Sequence, residues 1–258
     1  MPNVQPELIS VSIVSHGQGG LVAALLGDLA IHCTGTPIEV LLTLNLPEDL
    51  PCDLSQFPFP VLRIDNLHPL GFGANHNQAF ARSSGDFFSV LNPDIRLSHD
   101  PFPALRAALN DPLVGLSAPL VLNPSGLPED SARPFPSPLM ILLKALRLGR
   151  GRPYAVGEQT LHPDWVAGMC ILLPAARFRQ FGGFDTRYFL YYEDVDLCAR
   201  LRLAGLQVAL TPAARVTHAA QRASHRKLRY LVLHLRSISR FFCSPVYWRV
   251  RLAREPGQ

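Results

Sequence analysis

Short apolar runs and helix-period apolar spacing alternate along the first hundred residues. The runs at 8–15 and 38–44 are rich in β-branched and aliphatic side chains and predict two buried strands. Between them, apolar residues at 21, 22, 25, 26 and 29 have the spacing of one helix face. The same alternation predicts strands at 61–64 and 86–91, and a helix over 73–85 that ends at Gly85. It indicates an α/β fold whose sheet is mostly parallel, with helices on both faces.

The second half is less regular. Proline is frequent between 123 and 164, around one apolar and basic segment at 139–150, and predicts an excursion from the sheet. An interrupted strand at 164–174, a helix at 174–181 and short strands at 207–212 and 214–218 follow. From 226 onward the spacing predicts a helix with an apolar stripe (Leu228, Leu231, Val232, Leu235, Ile238, Phe242) and arginines on another face (Arg229, Arg236, Arg240). We therefore predict one domain at 1–225 and a basic amphipathic helical segment at 226–258.

Charge is divided unevenly between these parts. Residues 1–196 contain 12 lysines and arginines and 19 acidic residues, whereas residues 197–254 contain 12 lysines and arginines and no acid. Such a division predicts an anionic partner for the C-terminal part, the alternative being a solvated basic tail. No recognisable nucleic-acid-binding module accompanies the charge, so nucleic acid is not expected as the partner.

Other features of the sequence concern the compartment. No run of about 18 uncharged apolar residues is present, and the N-terminus lacks the basic region of a signal peptide. The five cysteines are scattered and never spaced as C-x-x-C, which indicates a reducing compartment and predicts that they are buried small hydrophobes. We expect a cytoplasmic protein.

Two strand ends carry candidate ligand-binding groups. Ser15, His16 and Gly17 follow the first strand, where a nucleotide can lie at the carboxyl ends of parallel strands, but the turn has no phosphate-loop motif. Asn92 and Asp94 follow an apolar strand and suit a hard cation such as Mg²⁺ or Mn²⁺. The alternative for the second pair is an ordinary Asn-Pro-Asp turn.

The stretch YFLYYEDVDLCARLRLAG places three carboxylates within four positions. Glu193, Asp194 and Asp196 could simply be the acidic first turn of a helix, which the helix dipole favours. A single carboxylate kept near a hydroxyl could also act as a general base. Of the three, Asp196 is the one we expect to serve only as a helix cap.

The order of the motifs resembles inverting glycosyltransferase family 2, and within it the bacterial rhamnosyltransferase-like branch. The strings SHG, LGFGANHNQAF, LNPD, WVAGMCILLP, GGFDTRYFLYYEDVDLCARLRLAG and VTH carry the resemblance, which runs from about residue 11 to 218. It implies a single GT-A catalytic domain that uses a nucleotide-diphosphate sugar, with rhamnose as the candidate sugar, and Mg²⁺ or Mn²⁺. It also implies surface polysaccharide synthesis with a glycan or lipid-linked acceptor.

The resemblance assigns roles to individual residues. Asp194 would be the catalytic base, Asp94 and His218 the metal ligands, and Asn92 would lie near the sugar or ribose. The remaining assignments are the donor-binding residues (Ser15, His16, Gly17, Gly71, Gly73, Asn77) and the acceptor-binding residues (Trp165, Gly168, Glu193). Leu44 stands where the family commonly has an aspartate that contacts the nucleobase, and Ser15-His16-Gly17 where it usually has T-Y-N.

Two other functions and two roles for the basic segment remain open from the sequence. A sugar-phosphate nucleotidyltransferase would normally show a cation in the first glycine-rich turn, and residues 17–20 contain none. A non-catalytic sugar-nucleotide-binding protein is supported by Leu44 and opposed by Asp94, Asp194 and His218. The basic C-terminal segment would either pack on the domain or rest peripherally on an anionic inner leaflet, close to a lipid-linked acceptor.

Overall fold

The fold was analysed in a computed structural model, which describes residues 7–146, 154, 157–219 and 227–253. Ten strands are present in this part of the chain: β1 (Ile9–Ser15), β2 (Ile38–Leu44), β3 (Val61–Asp65), β4 (Phe87–Leu91), β5 (Ile95–Arg96), β6 (Val114–Leu122), β7 (Ala132–Arg133), β8 (Trp165–Val166), β9 (Cys170–Pro174) and β10 (Gln207–His218). The helices are α1 (Gly19–His32), α2 (Phe72–Phe80), α3 (Phe102–Leu109), α4 (Pro138–Ala145), α5 (Ala175–Gln180), α6 (Glu193–Leu203), α7 (Lys227–Phe242) and α8 (Pro245–Ala253).

Eight strands form one mixed sheet in the order β3-β2-β1-β4-β9-β6-β10-β5. The strands β3, β2, β1 and β4 are parallel, β9 is antiparallel to β4 and β6, and β5 is antiparallel to β10. The strand order reverses at β1, with β2 on one side and β4 on the other, which is where open α/β sheets bind ligands. The separate two-stranded pair, β7 and β8, belongs to the excursion predicted between 123 and 164.

Two apolar layers cover the sheet. On one face, α1 and α3 bury side chains such as Leu25 and Phe102 against β1, β2 and β4. On the other face, a second cluster gathers α5, α6 and the C-terminal helices around Phe88, Phe178 and Phe241. The predicted α/β class with helices on both faces is confirmed.

Several boundaries predicted from the sequence were wrong. The strands predicted at 207–212 and 214–218 are one strand, β10, which carries a register shift between Thr211 and Arg215. The helix predicted to reach Gly85 ends at Phe80; Gly85 instead lies against β1, where a Cβ would come within 2.7 Å of the Ser10 nitrogen. The sheet strands β5 and β6 and the helix α3 had no predicted counterpart. Cys243 is exposed and Cys52 partly so, contrary to the expectation that all five cysteines are buried.

The C-terminal helices share the second apolar layer. Ile238 and Phe241 of α7 and Tyr247 and Val250 of α8 are buried in it. The first two turns of α7 are different, because the apolar side chains predicted to line its stripe are each more than half exposed: Leu228, Leu231, Val232, Leu235. The stripe is therefore packed only at its C-terminal end. The division of the chain into a domain at 1–225 and a helical segment at 226–258 stays a prediction.

Within the described ranges, no helix combines the length and the apolar composition required to cross a membrane.

Candidate active site

The turn after β1 lies at the reversal point of the sheet. The Ser15 hydroxyl accepts a hydrogen bond from the Gln18 backbone N–H at 3.1 Å, which shapes the entry into α1. Gly17 has φ of 77°, a left-handed conformation that glycine adopts without steric cost, and its N–H donates to Glu48. Burial lowers the pKa of His16, with the charge of Glu48 opposing it, so the imidazole is neutral at neutral pH.

The side-chain amides of three asparagines form a hydrogen-bond network next to His16. The Asn45 side chain donates to the Leu70 carbonyl at 2.9 Å and accepts from the Leu70 N–H at 2.8 Å, and it also contacts His16. Asn66 donates to the side-chain oxygens of both Asn45 and Asn75. These residues fix the segment between β3 and α2. Sequence reasoning missed them, since each asparagine alone is typical of a turn.

The predicted donor-side residues of α2 make close backbone contacts. A Cβ on Gly71 would lie 2.6 Å from the Phe189 carbonyl oxygen, and one on Gly73 would lie 2.6 Å from the Phe184 Cβ. Asn77 donates to the Phe184 carbonyl and accepts from the Phe184 N–H. All three therefore hold α2 against the chain that leads to the acidic helix. Their predicted contact with the donor stays a prediction.

Asp94 and His218 come together at the carboxyl end of β4 and the end of β10. The His218 Nε2 lies 3.1 Å from the Asp94 Oδ2, and its Nδ1 lies 2.8 Å from the Glu129 carboxylate. The hydrogen bond to Asp94, aided by Glu129 and opposed by burial, raises the pKa of His218 to about 9. Glu129 was not predicted, because it lies in the proline-rich excursion and belongs to none of the motifs.

This arrangement fits a divalent cation. Adjacent ligands about 2.1 Å from an octahedral cation are separated by about 3 Å, close to the spacing of Asp94 Oδ2 and His218 Nε2. Asp94 Oδ1 is buried and has no hydrogen-bond partner among the described residues. Glu129 stands where a carboxylate typically orients a metal-bound imidazole. The described residues contain no cluster of three or more acidic, histidine or cysteine side chains that could hold a metal, so further ligands would have to come from phosphate or water.

The aromatic turn before α6 has an unusual backbone. Tyr191 and Tyr192 have φ of 69° and 72°, in the left-handed region that bulky residues rarely adopt. α7 packs on this turn: the Ser237 hydroxyl donates to the Leu190 carbonyl at 2.8 Å, and the rings of Tyr192 and Phe241 lie 5.6 Å apart. The C-terminal helix thus supports the conformation from which the acidic residues emerge.

The first two residues of α6 after this turn are the acids Glu193 and Asp194. Asp194 is half-buried, and its oxygens accept from the N–H groups of Gly168 and Val195 at 3.1 and 2.8 Å. Burial raises its pKa, while these hydrogen bonds oppose the increase. Glu193 is only 4% exposed, and its Oε2 has no hydrogen-bond partner among the described residues. Burial, and after it the neighbouring charge of Asp194, raise the pKa of Glu193.

Asp196 has a structural role, but not as a helix cap. Its carboxylate pairs with Arg200 one turn later at 2.7 Å, and Arg200 also donates to the carbonyls of Phe181 and Gly183. The predicted cap is wrong because Asp196 lies in the fourth position of α6, past the first free N–H groups. The pair instead ties α6 to the GGFD turn.

Two of the predicted acceptor residues, Trp165 and Gly168, lie on β8 and in the turn after it, and the third, Glu193, begins α6. The Trp165 indole donates to the Pro134 carbonyl at 2.9 Å, and the guanidinium of Arg133 lies 5.5 Å from its ring centre. The turn after β8 brings the Gly168 N–H to Asp194. Asn92, on the other side, has its backbone N–H bonded to the Met169 carbonyl and its side chain half-buried.

Comparison with known proteins decides the family. N-acetylglucosaminyl-diphospho-decaprenol L-rhamnosyltransferase of Mycobacterium tuberculosis is 30% identical over 278 residues, an alignment that covers 95% of this chain and 90% of that protein. The chain belongs to the rhamnosyltransferase-like branch of glycosyltransferase family 2. Rhamnosyltransferase WbbL of Escherichia coli is a further relative of this glycosyltransferase, 27% identical over 83% of the chain and 84% of its own length. No family model matches the sequence.

Solved structures agree with the glycosyltransferase fold. The mannosyltransferase PcManGT from Pyrobaculum calidifontis, in complex with GDP-Man and Mn²⁺, has a TM-score of 0.64 at 15% identity and covers 97% of this chain and 71% of its own. GalNAc-T7 with UDP, GalNAc and Mn²⁺ has the same TM-score at 16% identity. That match covers 84% of the glycosyltransferase described here but only 44% of GalNAc-T7. The predicted GT-A fold and glycosyltransferase activity are confirmed.

Proposed function

We propose that this glycosyltransferase transfers rhamnose, with inversion, from a nucleotide-diphosphate rhamnose to a lipid-linked acceptor in polysaccharide synthesis. The proposal is supported by the relative from Mycobacterium tuberculosis, whose name specifies rhamnosyl transfer and a diphospho-decaprenol acceptor. WbbL supports the same sugar. The observation that carries the proposal is a short series of contacts between the two groups. The Gly168 N–H donates to Asp194, the carbonyl of the next residue, Met169, accepts from the Asn92 N–H, and Asp94 two residues later lies 3.1 Å from His218.

Asp194 has the properties of a base for the acceptor hydroxyl. Its two oxygens are oriented by the backbone of Gly168 and Val195, and both bonds come from N–H donors, which stabilise the ionised form. Burial raises the pKa of the carboxyl above that of a free aspartate, which strengthens it as a base. Asp194 takes the proton as the hydroxyl oxygen attacks the anomeric carbon on the face opposite the leaving diphosphate.

Asp94 and His218 would hold Mg²⁺ or Mn²⁺ against that diphosphate. When bound, the cation supplies electrostatic stabilisation of the negative charge on the leaving group. Glu129 orients the His218 ring from the opposite nitrogen. Holding the cation would require the neutral form of the His218 imidazole.

The remaining predicted residues would surround these groups. Ser15, His16, Gly17 and Asn92 lie at the ends of β1 and β4, where the nucleotide and sugar would bind. Because Leu44 ends β2 where the family commonly has an aspartate, no carboxylate is present at that position. The side chain of the next residue, Asn45, is hydrogen-bonded to Leu70 and His16. Trp165 and Gly168 would border the acceptor on the side of Asp194.

A peripheral contact with an anionic membrane completes the proposal. The apolar side chains of the first turns of α7 are more than half exposed, and α8 exposes Trp248 and Leu252. Arg236 and Arg249 are exposed on the same two helices, in a stretch without acidic residues. Apolar and aromatic side chains beside cations suit a surface of anionic lipid.

A transfer assay tests the proposed reaction. The protein is incubated with rhamnose linked to dTDP, UDP or GDP and a short-chain analogue of N-acetylglucosaminyl-diphospho-decaprenol, in Mn²⁺, Mg²⁺ or EDTA. We expect one donor to give a rhamnosylated lipid with inverted anomeric configuration in the presence of the cation and little product in EDTA. Retained configuration, or no product from any donor with cation present, would overturn the proposal.

A further inference from the structure

The helix α4 is short and apolar on every side. Residues 139–143 are five consecutive large apolar residues, and five positions of an α-helix cover all directions around its axis. A helix of this composition is normally surrounded by apolar material. Ile141 packs on the second apolar layer. Three other side chains of α4 and the residue after it are 40–64% exposed: Leu139, Met140, Leu142, Leu146.

The chain just before α4 is fastened to the acceptor side of the site. The Phe135 N–H donates to the buried Asp164 carboxylate at 2.7 Å, and the Trp165 indole donates to the Pro134 carbonyl at 2.9 Å. The turn after Trp165 carries the N–H group that orients Asp194. α4 therefore starts a few residues from the backbone that borders the proposed acceptor position.

The same stretch of chain also packs on the C-terminal helices. Phe135 belongs to the second apolar layer together with Phe241 of α7 and Tyr247 of α8. α8 exposes Trp248 and Leu252, and the first turns of α7 expose apolar side chains as well. α4 therefore adds a third exposed apolar element next to the two that form the proposed membrane contact.

The charge of the sequence around α4 indicates what covers this apolar surface. Residues 131–157 contain five lysines and arginines and no acidic residue, a composition that matches the basic stretch 197–254. A second copy of the chain would bring these like charges together, because a two-fold interface pairs a surface with itself. An anionic bilayer instead offers hydrocarbon to the apolar side chains and negative headgroups to the cations.

We propose that α4 inserts into the interface of an anionic bilayer, as a membrane contact additional to that of α7 and α8. The inference rests on the proposed function, since it concerns the same membrane and the same lipid-linked acceptor. Eight residues are too few to cross a bilayer, so the helix lies at the level of the headgroups. Because the chain before α4 is tied to Trp165, insertion holds the acceptor side of the site next to the membrane surface, where the diphosphate of such an acceptor lies.

Vesicle binding tests this contact with a matched pair of double variants. Leu139→Gln combined with Leu142→Gln changes side chains that are 64% and 55% exposed, and Ile31→Gln combined with Leu113→Gln changes side chains that are 68% and 53% exposed. The control residues lie near the end of α1 and before β6. Sedimentation is measured with phosphatidylcholine vesicles that contain or lack phosphatidylglycerol.

The variant in α4 should bind the phosphatidylglycerol vesicles about tenfold more weakly than the wild type, because two leucines no longer leave water on binding. The control variant should bind within about twofold of the wild type. Vesicles without phosphatidylglycerol should bind the wild type more weakly than vesicles that contain it, since the cations then lose their partners.

Tryptophan quenching detects insertion directly. Leu142→Trp and Ile31→Trp each add one fluorophore to the native Trp165 and Trp248, and both variants are mixed with phosphatidylglycerol vesicles whose acyl chains are brominated. The fluorescence that Leu142→Trp adds should be quenched, because bromine quenches only at short range. The fluorescence that Ile31→Trp adds should persist.

Three results would overturn the inference: wild-type vesicle affinity in the α4 double variant, no added quenching in Leu142→Trp, or a dimer in light scattering that only the α4 double variant loses. The third result would assign the surface to a second copy of the chain. None of them affects the reaction, which is measured without vesicles on the short-chain acceptor, where the α4 double variant should match the wild-type rate. Conversely, quenching of Leu142→Trp in a protein that transfers no sugar would leave the contact standing and remove the reaction.

Discussion

Tyr191 and Tyr192 illustrate how single residues set up the chemistry. Two successive left-handed residues cost on the order of 1–3 kcal/mol each and persist only where surrounding contacts determine them. Here the contacts come from Ser237 and Phe241 of α7. The turn delivers Asp194 half-buried at the start of α6 while burying Glu193 next to it. The backbone therefore places two adjacent acids in different surroundings: Asp194 accepts two backbone N–H bonds, whereas Glu193 is buried and its Oε2 has no hydrogen-bond partner among the described residues.

The proposed cation site predicts graded effects at three residues. Asp94→Ala and His218→Ala remove a candidate ligand each and should weaken Mn²⁺-dependent binding of the nucleotide diphosphate severely. Glu129→Gln should weaken it about 10–100-fold, the usual effect of losing a carboxylate that orients a metal-bound histidine. Calorimetry with the nucleotide diphosphate, in Mn²⁺ and in EDTA, measures all three.

The control for this series is Asp65→Asn, since Asp65 is an exposed acid at the end of a neighbouring strand whose partner is Arg63. Its Mn²⁺-dependent affinity should equal that of the wild type. If Asp94→Ala and His218→Ala also kept wild-type affinity, Asp94 would belong to an ordinary turn and His218 to an ion pair of the fold.

At the scale of elements, α7 performs two tasks along one helix. Its last turns supply Ile238 and Phe241 to the core, whereas Leu231 and Leu235 remain exposed. The sequence pattern predicted a single apolar stripe because helical spacing records only which side chains share a face. Helical spacing cannot show which part of that face packs against the core, since this depends on where the neighbouring helices end. Phe241 is buried although it lies outside the predicted stripe, because α8 and the turn before α6 pack against that side of α7.

The exposed part of α7 predicts binding to anionic vesicles. Wild-type protein should sediment with vesicles that contain anionic lipid, and less so as salt increases, because salt screens the charges. Arg236→Gln combined with Arg249→Gln should weaken binding about 30-fold, from about 1 kcal/mol for each arginine. Leu231→Gln combined with Leu235→Gln should weaken it through lost apolar burial.

The matched control is Arg63→Gln combined with Arg82→Gln, which removes two exposed arginines from β3 and the region after α2. This variant should bind vesicles as the wild type does. Equal binding to neutral and anionic vesicles, or none to either, would leave α7 as a packed helix with a solvated face.

At the scale of the whole molecule, the sheet brings together residues that are far apart in sequence. Asp94 and His218 are 124 positions apart and meet where β5 and β10 pair. The alternation of strands and helices was sufficient to predict the α/β class, and the motif order was sufficient to predict the family. Both depend on local patterns. Glu129, Arg133 and the Asn45 network were not predicted, because their positions depend on long-range packing that no local spacing encodes.

The central claim is that Asp194 takes the acceptor proton in a glycosyl transfer. Asp194→Asn keeps the size and most hydrogen-bond capacity of the side chain but cannot accept the proton, and loss of a general base typically lowers the rate about 10²–10⁴-fold. The measurement is the rate of rhamnosyl transfer by Asp194→Asn, with calorimetric binding of the nucleotide diphosphate and Mn²⁺ to the same preparation. We predict that transfer falls by this factor while nucleotide affinity stays within about twofold of wild type. Near-normal transfer by Asp194→Asn would contradict the claim and reduce Asp194 to a structural residue at the start of α6.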